Sequence, residues 1–181
     1  MSSEKRKIAY IDGKPYEIGL NHSSILKFVK SYVGEKKVPT LCDDPNLAPY
    51  GACRVCSVEV ALEKDGPTKV VASCHTPVAE NQHIFTSNES LKDLRKNIVE
   101  LVLTDHPMEC DGCEVNNNCE LQTVANDLGI SDHRYNSPKQ HKGIPRDTSH
   151  DYMRMNLYNC LSSSHDYMRM NLDNCINCGR C

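Results

Sequence analysis

The chain contains no tryptophan and only two phenylalanines in 181 residues, and aromatic residues make up 6% of it. With so few aromatics and a net charge of −3 it presents neither a basic stripe for nucleic acid nor an amphipathic membrane face. Nucleic acid and direct membrane insertion are thereby excluded, which leaves proteins as the expected partners. No long apolar run is present either. The opening Met1-Ser-Ser-Glu-Lys-Arg-Lys7 is charged and no hydrophobic stretch follows it, so neither a signal peptide nor a transmembrane helix is expected. The expected compartment is the cytoplasm. A glycine-rich nucleotide loop is missing, since Tyr50-Gly-Ala-Cys53 reads as a metal-cluster loop and not as a phosphate cradle. No nucleophile can be matched with a base, so no catalytic site is legible in this chain.

What the sequence has instead is cysteine, eleven of them. Thiols of a chain with no export signal are kept reduced, and clustered ones serve as metal ligands more often than as disulfides. The odd count agrees with that reading. Nine glycines and nine prolines leave room for many turns, and the length suits one compact domain or two small ones.

The chain is organised around His106-Pro-Met-Glu-Cys110-Asp-Gly-Cys113-Glu-Val-Asn-Asn-Asn-Cys119, one imidazole and three thiols in a short loop with a helical pattern on each side. The CxxC pair lets two thiolates reach one metal centre from a tight turn at Asp111-Gly112, and the x5 loop brings Cys119 round from another side. His106 completes a four-ligand set. Structural zinc accepts Cys3His, and so does an iron–sulfur cluster in which His replaces one Cys. This motif alone leaves both open.

In chain order, Lys7–Ile11 and Lys14–Ile18 form a predicted hairpin, because Asp12-Gly13 supplies the positive φ angles of a two-residue turn. Ser23 or Ser24 caps a helix carrying Ile25, Leu26, Phe28 and Val29 that ends near Gly34. A four-cysteine set follows, Cys42-x10-Cys53-x2-Cys56-x17-Cys74. A second hairpin lies between its last two members: Ser57–Glu63 alternates, Asp65-Gly66-Pro67 turns, and Lys69–Ser73 returns. His83–Thr86 reads as a closing strand. Ser87 or Asn88 then caps a helix with Leu91, Leu94, Ile98, Leu101 and Val102 as its apolar positions. Leu121, Val124, Ala125 and Leu128 mark a further short helix ending at Gly129. From Asp132 to Arg146 the pattern dissolves into a linker or a surface-tracking segment.

The tail holds a tandem repeat in which 149–163 and 164–178 agree at eleven of fifteen positions. Two copies are too few for a solenoid, so a recent duplication or an assembly artefact is expected. The second copy runs into Cys175-x2-Cys178-x2-Cys181, the first three cysteines of a C-x2-C-x2-C-x3-C-P run. The expectation is a truncated motif or one completed by another subunit, with 149–163, including Cys160, a looped-out duplicate supplying no ligand.

The first set is not built as two CxxC pairs, as zinc ribbons prefer, and its long loop with a fourth cysteine arriving after a hairpin suits a two-iron cluster. Gly51 and Ala52 are small enough to let backbone N–H groups approach sulfur. The scattered His22, His75, His83, His133 and His141 read as surface or satisfied histidines. Glu109, Asp111 and Glu114 read as solvated carboxylates, and the repeated Met-Arg-Met as packing.

Pro49-Tyr-Gly-Ala-Cys53-Arg-Val-Cys56-Ser-Val-Glu-Val60, His106-x3-Cys110-x2-Cys113-x5-Cys119-Glu-Leu-Gln122 and Cys175-x2-Cys178-x2-Cys181 occur in that order. The chain resembles the iron–sulfur N-terminal region shared by the large iron–sulfur subunit of complex I, iron-only hydrogenases, NAD-linked formate dehydrogenases and the small diaphorase subunit of NAD-reducing hydrogenases. The resemblance implies an α+β fold in three parts. Residues 1–88 would form a β-grasp, plant-type-ferredoxin-like domain holding [2Fe-2S] on Cys42, Cys53, Cys56 and Cys74. Residues 89–148 would form a small helical domain plus linker holding [4Fe-4S] on His106, Cys110, Cys113 and Cys119. Residues 149–181 would be the duplicate and an incomplete [4Fe-4S] motif with Cys175, Cys178 and Cys181. The x10 spacing departs from the x4 of plant ferredoxins and is similar to this family instead. The implied function is electron transfer between a flavin/NAD(H)-binding subunit and a catalytic oxidoreductase subunit such as a hydrogenase, a formate dehydrogenase or a quinone-reducing complex, with no catalytic site in this chain. The alternative is a zinc-binding structural or interaction protein using the same Cys/His sets.

Overall fold

The computed structural model describes residues 6–106, 108, 110–113, 115–132, 134–135, 176 and 178. Of these, the residues up to Val99, Glu120–Ile130 and Cys178 form one compact unit, and the remaining ones a second.

The first unit is built on a mixed five-stranded sheet. Its strands are β1 (Ile8–Ile11), β2 (Lys14–Glu17), β3 (Ser57–Ala61), β4 (Lys69–Ala72) and β5 (His83–Phe85), in the order β2-β1-β5-β3-β4. The β1–β2 hairpin turns at Asp12 (φ 48°) and Gly13 (φ 82°), the left-handed pair that Asp-Gly adopts at little steric expense. Asp12 then locks this turn to the residue after β5, accepting from the Thr86 N–H (2.8 Å) and the Thr86 hydroxyl (2.6 Å). β1 and β5 pair in parallel, whereas β3 pairs antiparallel with both β4 and β5. The parallel pairing joins segments about seventy residues apart and follows from tertiary packing, not from any local turn signal.

Helix α1 (Ile25–Val33) starts where Ser24 Oγ accepts from the Lys27 N–H and ends at Gly34. Its apolar face, Ile25, Leu26, Phe28 and Val29, is fully buried with Ile11, Val58 and Ile84 of the sheet and with Cys56 and Cys74. Complete burial of a side chain such as Phe28 stabilises the fold by about 1.5–3 kcal/mol, so the same packing that holds the helix fixes two of the thiols.

Helix α2 (Glu89–Asp105) is capped by Asn88, whose side-chain oxygen accepts from the Leu91 N–H at 2.7 Å. Its buried positions are Leu91, Arg95, Val99, Glu100 and Leu103, whereas Leu101 is 55% exposed. This corrects the expected apolar face, because two polar residues occupy the buried line. Helix α3 (Glu120–Asp127) buries Leu121, Val124 and Ala125 as expected and closes at Gly129, where the Ile130 N–H reaches the Ala125 carbonyl.

Among the described residues no helix is long and apolar enough to cross a membrane.

Candidate functional site

Cys42 lies in the loop after α1, Cys53 and Cys56 in the loop leading into β3, and Cys74 just beyond β4. The β3–β4 register pairs Ser57 with Ala72, and one step further sets Cys56 opposite Ser73, the residue before Cys74. Ser73 seals that end: its N–H (3.3 Å) and its hydroxyl (2.7 Å) both donate to the Cys56 carbonyl. The loop needs two left-handed residues, Gly51 (φ 71°) and Arg54 (φ 61°). Left-handed backbone at a non-glycine residue is held only when the surroundings impose it, and the Arg54 carbonyl is pinned by the Ser57 N–H (3.1 Å) and hydroxyl (2.6 Å).

The thiols lie near enough to one another for Cys53 to act on the ionisation of Cys42, and Cys74 on that of Cys56. Burial pushes the Cys42 thiol up, against the N–H groups of Cys53 and Ala52 that donate to its sulfur. The Cys56 thiol is lowered to about 6, first by the hydrogen bond from Cys74, against opposing burial, with backbone N–H groups of Cys74 and Ser73 adding to the effect. Cys74 moves up as the donor in the same bond. Cys42, Cys56 and Cys74 are buried and Cys53 is half-buried. Dry, N–H-supported thiols fit a centre that is anionic and must exclude water.

In the second unit, His106 follows α2 directly. Its Nδ1 is buried and has no hydrogen-bond partner, and burial lowers its pKa, so the imidazole stays neutral. An orphaned nitrogen of that kind suits a ligand bond, since a buried donor or acceptor otherwise costs about 1–3 kcal/mol. Cys110–Gly112 forms a single 3-10 turn closed by the Cys113 N–H on the Cys110 carbonyl at 3.0 Å. This is the expected Asp111-Gly112 turn. Asn116 donates to the Cys113 carbonyl at 3.1 Å, and Asn117 (φ 63°) turns the chain toward Cys119. Cys110, Cys113 and Cys119 are all half-buried.

Of the third set only Cys178 is described, half-buried, with its carbonyl accepting from the Tyr50 hydroxyl at 2.9 Å. Cys160, Cys175 and Cys181, the tandem repeat, His133, His141, Glu109 and Glu114 lie outside the described residues. Among the described residues no three His, Cys, Asp or Glu side chains converge on one metal-ion point. A cleft of about 470 Å³ near Lys36, Lys92 and Lys96 has no cysteine or histidine in its lining.

Two of the scattered histidines, His22 and His83, have structural partners. His22 accepts from the Gly19 N–H at Nδ1 (2.9 Å) and bonds the Ser31 hydroxyl through Nε2 (2.9 Å), and His83 stacks on Tyr10 at 4.4 Å. The sequence reading missed Arg95 and Glu100, which are 4% and 2% exposed. Glu100 accepts from Arg134 Nε at 2.6 Å. The available signal was helical spacing from apolar residues, Arg95 lying four residues from both Leu91 and Val99 and Glu100 three before Leu103.

Two family models match the chain. Residues 8–89 match the 2Fe-2S iron-sulfur cluster binding domain, and residues 95–134 match the NADH-ubiquinone oxidoreductase-G iron-sulfur binding region. The alpha component of the NADPH-Fe(3+) oxidoreductase of Geobacter sulfurreducens is 34% identical over 110 residues, 61% of this chain. NADH-quinone oxidoreductase G is 35% identical over 136 residues in Buchnera aphidicola and 33% identical over 132 residues in Escherichia coli, 74% and 72% of this chain. The chain spans only 13–14% of the length of these relatives. A solved NAD+-reducing [NiFe]-hydrogenase shares the fold, with a TM-score of 0.69 at 23% identity, over 96% of this chain and 63% of that one. The cofactors of the present chain are therefore [2Fe-2S] and [4Fe-4S], and residues 8–134 are similar to the iron–sulfur region of NADH-quinone oxidoreductase G.

Proposed function

We propose that this chain is an electron-transfer module relaying single electrons between a flavin/NAD(H)-binding subunit and a catalytic oxidoreductase subunit. The observation that carries the reading is the gathering of Cys42, Cys53, Cys56 and Cys74 at one end of the first unit, three of them buried, with backbone N–H groups of Ala52, Cys53, Ser73 and Cys74 acting to lower the thiol pKa values of Cys42 and Cys56. Cys42, Cys53, Cys56 and Cys74 would hold [2Fe-2S], within a plant-type-ferredoxin-like β-grasp domain spanning 1–88. His106, Cys110, Cys113 and Cys119 hold [4Fe-4S] in the 89–148 segment. The ligands of a cubane each bind a different iron, so they need not meet at a point. Cys175, Cys178 and Cys181 supply three ligands of a further [4Fe-4S] in 149–181. A cytoplasmic setting accords with this use of thiols as metal ligands.

When bound, such clusters accept and release one electron each without moving protons or heavy atoms far. The protein contributes the rest. Helix α1 and the sheet keep water from Cys56 and Cys74, and the N–H groups of Ala52 and Cys53 stabilise negative charge on Cys42. The half-buried His106 contributes a neutral ligand in place of a thiolate.

The test uses the chain reconstituted anaerobically with iron and sulfide. Photoreduced flavin mononucleotide bleaches its visible absorbance by one electron per cluster, ferricyanide restores it, and NADH alone has no effect. A colourless chain, or direct bleaching by NADH, contradicts the proposal.

A further inference from the structure

Arg95 is the most deeply buried cation among the described residues, at 4% exposure on α2. Its Nη2 donates to the Ser57 carbonyl at 2.6 Å and to the Thr86 carbonyl at 2.9 Å, while its Nε has no hydrogen-bond partner. No carboxylate among the described residues lies within ion-pair distance of it. Asp12 is committed elsewhere, to Thr86 and to Lys37 at 3.5 Å. Arg95 stands at the wall of the cleft of about 470 Å³ that Glu89, Asp93 and Asp127 also line, and a guanidinium buried to this extent is destabilising unless negative charge lies close by. Burial draws its pKa down, and the leading attraction opposing that shift is to Cys56, ahead of Asp12. Ser57, whose carbonyl holds the guanidinium, is the residue next to that thiol.

We infer that Arg95 is the buried counter-charge of the [2Fe-2S] centre, a positioning residue that raises its reduction potential through the Cys56 side. The inference rests on the cysteine assignment proposed above. A two-iron cluster on four thiolates is a dianion when oxidised and a trianion after one electron arrives from a reduced flavin or dithionite. A fixed cation therefore stabilises the reduced form more than the oxidised one. In an environment of effective dielectric about 20, one unit charge within about 10 Å changes that balance by about tenfold or more. Removing the charge should lower the potential accordingly.

The experiment is a mediated redox titration, read by electron paramagnetic resonance, of the reconstituted full chain and two variants. Arg95→Gln keeps an amide donor for the two carbonyls without the charge, and Arg95→Lys keeps the charge with fewer donors. The expected result is that Arg95→Gln shifts the [2Fe-2S] midpoint down by at least about tenfold in the reduced-to-oxidised ratio, which is 59 mV for one electron. Arg95→Lys stays within about threefold of the parent. The [4Fe-4S] midpoint, the internal control, stays put in both. Equal shifts in the two variants, or no shift in Arg95→Gln, overturn the inference in favour of a simple tie between β3 and the end of β5. Loss of the two-iron signal in Arg95→Gln alone supports a charge requirement, and loss in both variants overturns it. A parent chain with no [2Fe-2S] signal would instead remove the cysteine assignment, a failure read before either variant is made.

Discussion

The two complete cysteine sets are supported in opposite ways. Cys42, Cys53, Cys56 and Cys74 are gathered by long-range structure: a helix, a five-stranded sheet and a hairpin whose register sets Cys56 opposite Ser73, the residue before Cys74. His106, Cys110, Cys113 and Cys119 sit on a 3-10 turn and a run of short-range backbone bonds, all within fourteen residues. The first set depends on the hydrophobic core, and the second on local chain geometry. Binding free energy at a site that is loose without its metal is partly folding free energy.

The sharpest way to break this comparison is to damage the core alone. Phe28→Ala removes a fully buried ring of the α1–sheet interface and should cost about 3–5 kcal/mol. The expected outcome is loss of the [2Fe-2S] resonance with the [4Fe-4S] resonance retained, measured on one reconstituted sample. Loss of both would mean that the second site also leans on the core.

A smaller effect should appear on exchanging the odd ligand. His106→Cys replaces a neutral imidazole by a thiolate, which makes the centre one charge more negative. Four irons should remain at this site while its midpoint potential falls, and the [2Fe-2S] midpoint should not move. Unchanged titration curves and spectra would take His106 off the ligand list.

The smallest expected effect sharpens the link between core and first site. Ser24→Ala deletes the oxygen that caps α1 through the Lys27 N–H at 3.3 Å, worth about 1 kcal/mol. Urea titration should register that loss, with iron content unaltered. A cap deletion that also strips iron would mean that the first site tolerates far less loss of stability than its buried scaffold implies.

How much of this was readable in advance varied with the range of the interaction. Asp12-Gly13 announces its hairpin because the turn is a property of two residues, and Ser24 announces its helix for the same reason. The presence of two iron–sulfur regions was legible because thiols and imidazoles at such spacings serve few other purposes, and the two family matches fall on them. The nearness of Cys56 to the Ser73-Cys74 step was not, since it depends on the β3–β4 register. Nor was the parallel pairing of β1 with β5, which no local signal encodes. The face of α2 was misread because Arg95 and Glu100 lie on the line with Leu91, Val99 and Leu103. A hydrophobic pattern counts such residues as surface.

The central claim is that these cysteine sets hold iron–sulfur clusters that carry electrons, and metal content tests it most directly. Elemental analysis of the anaerobically reconstituted chain, with paramagnetic resonance before and after dithionite, should give about six irons at the two complete sites, as one [2Fe-2S] and one [4Fe-4S]. Stoichiometric zinc with little iron and no resonance on reduction would contradict the account.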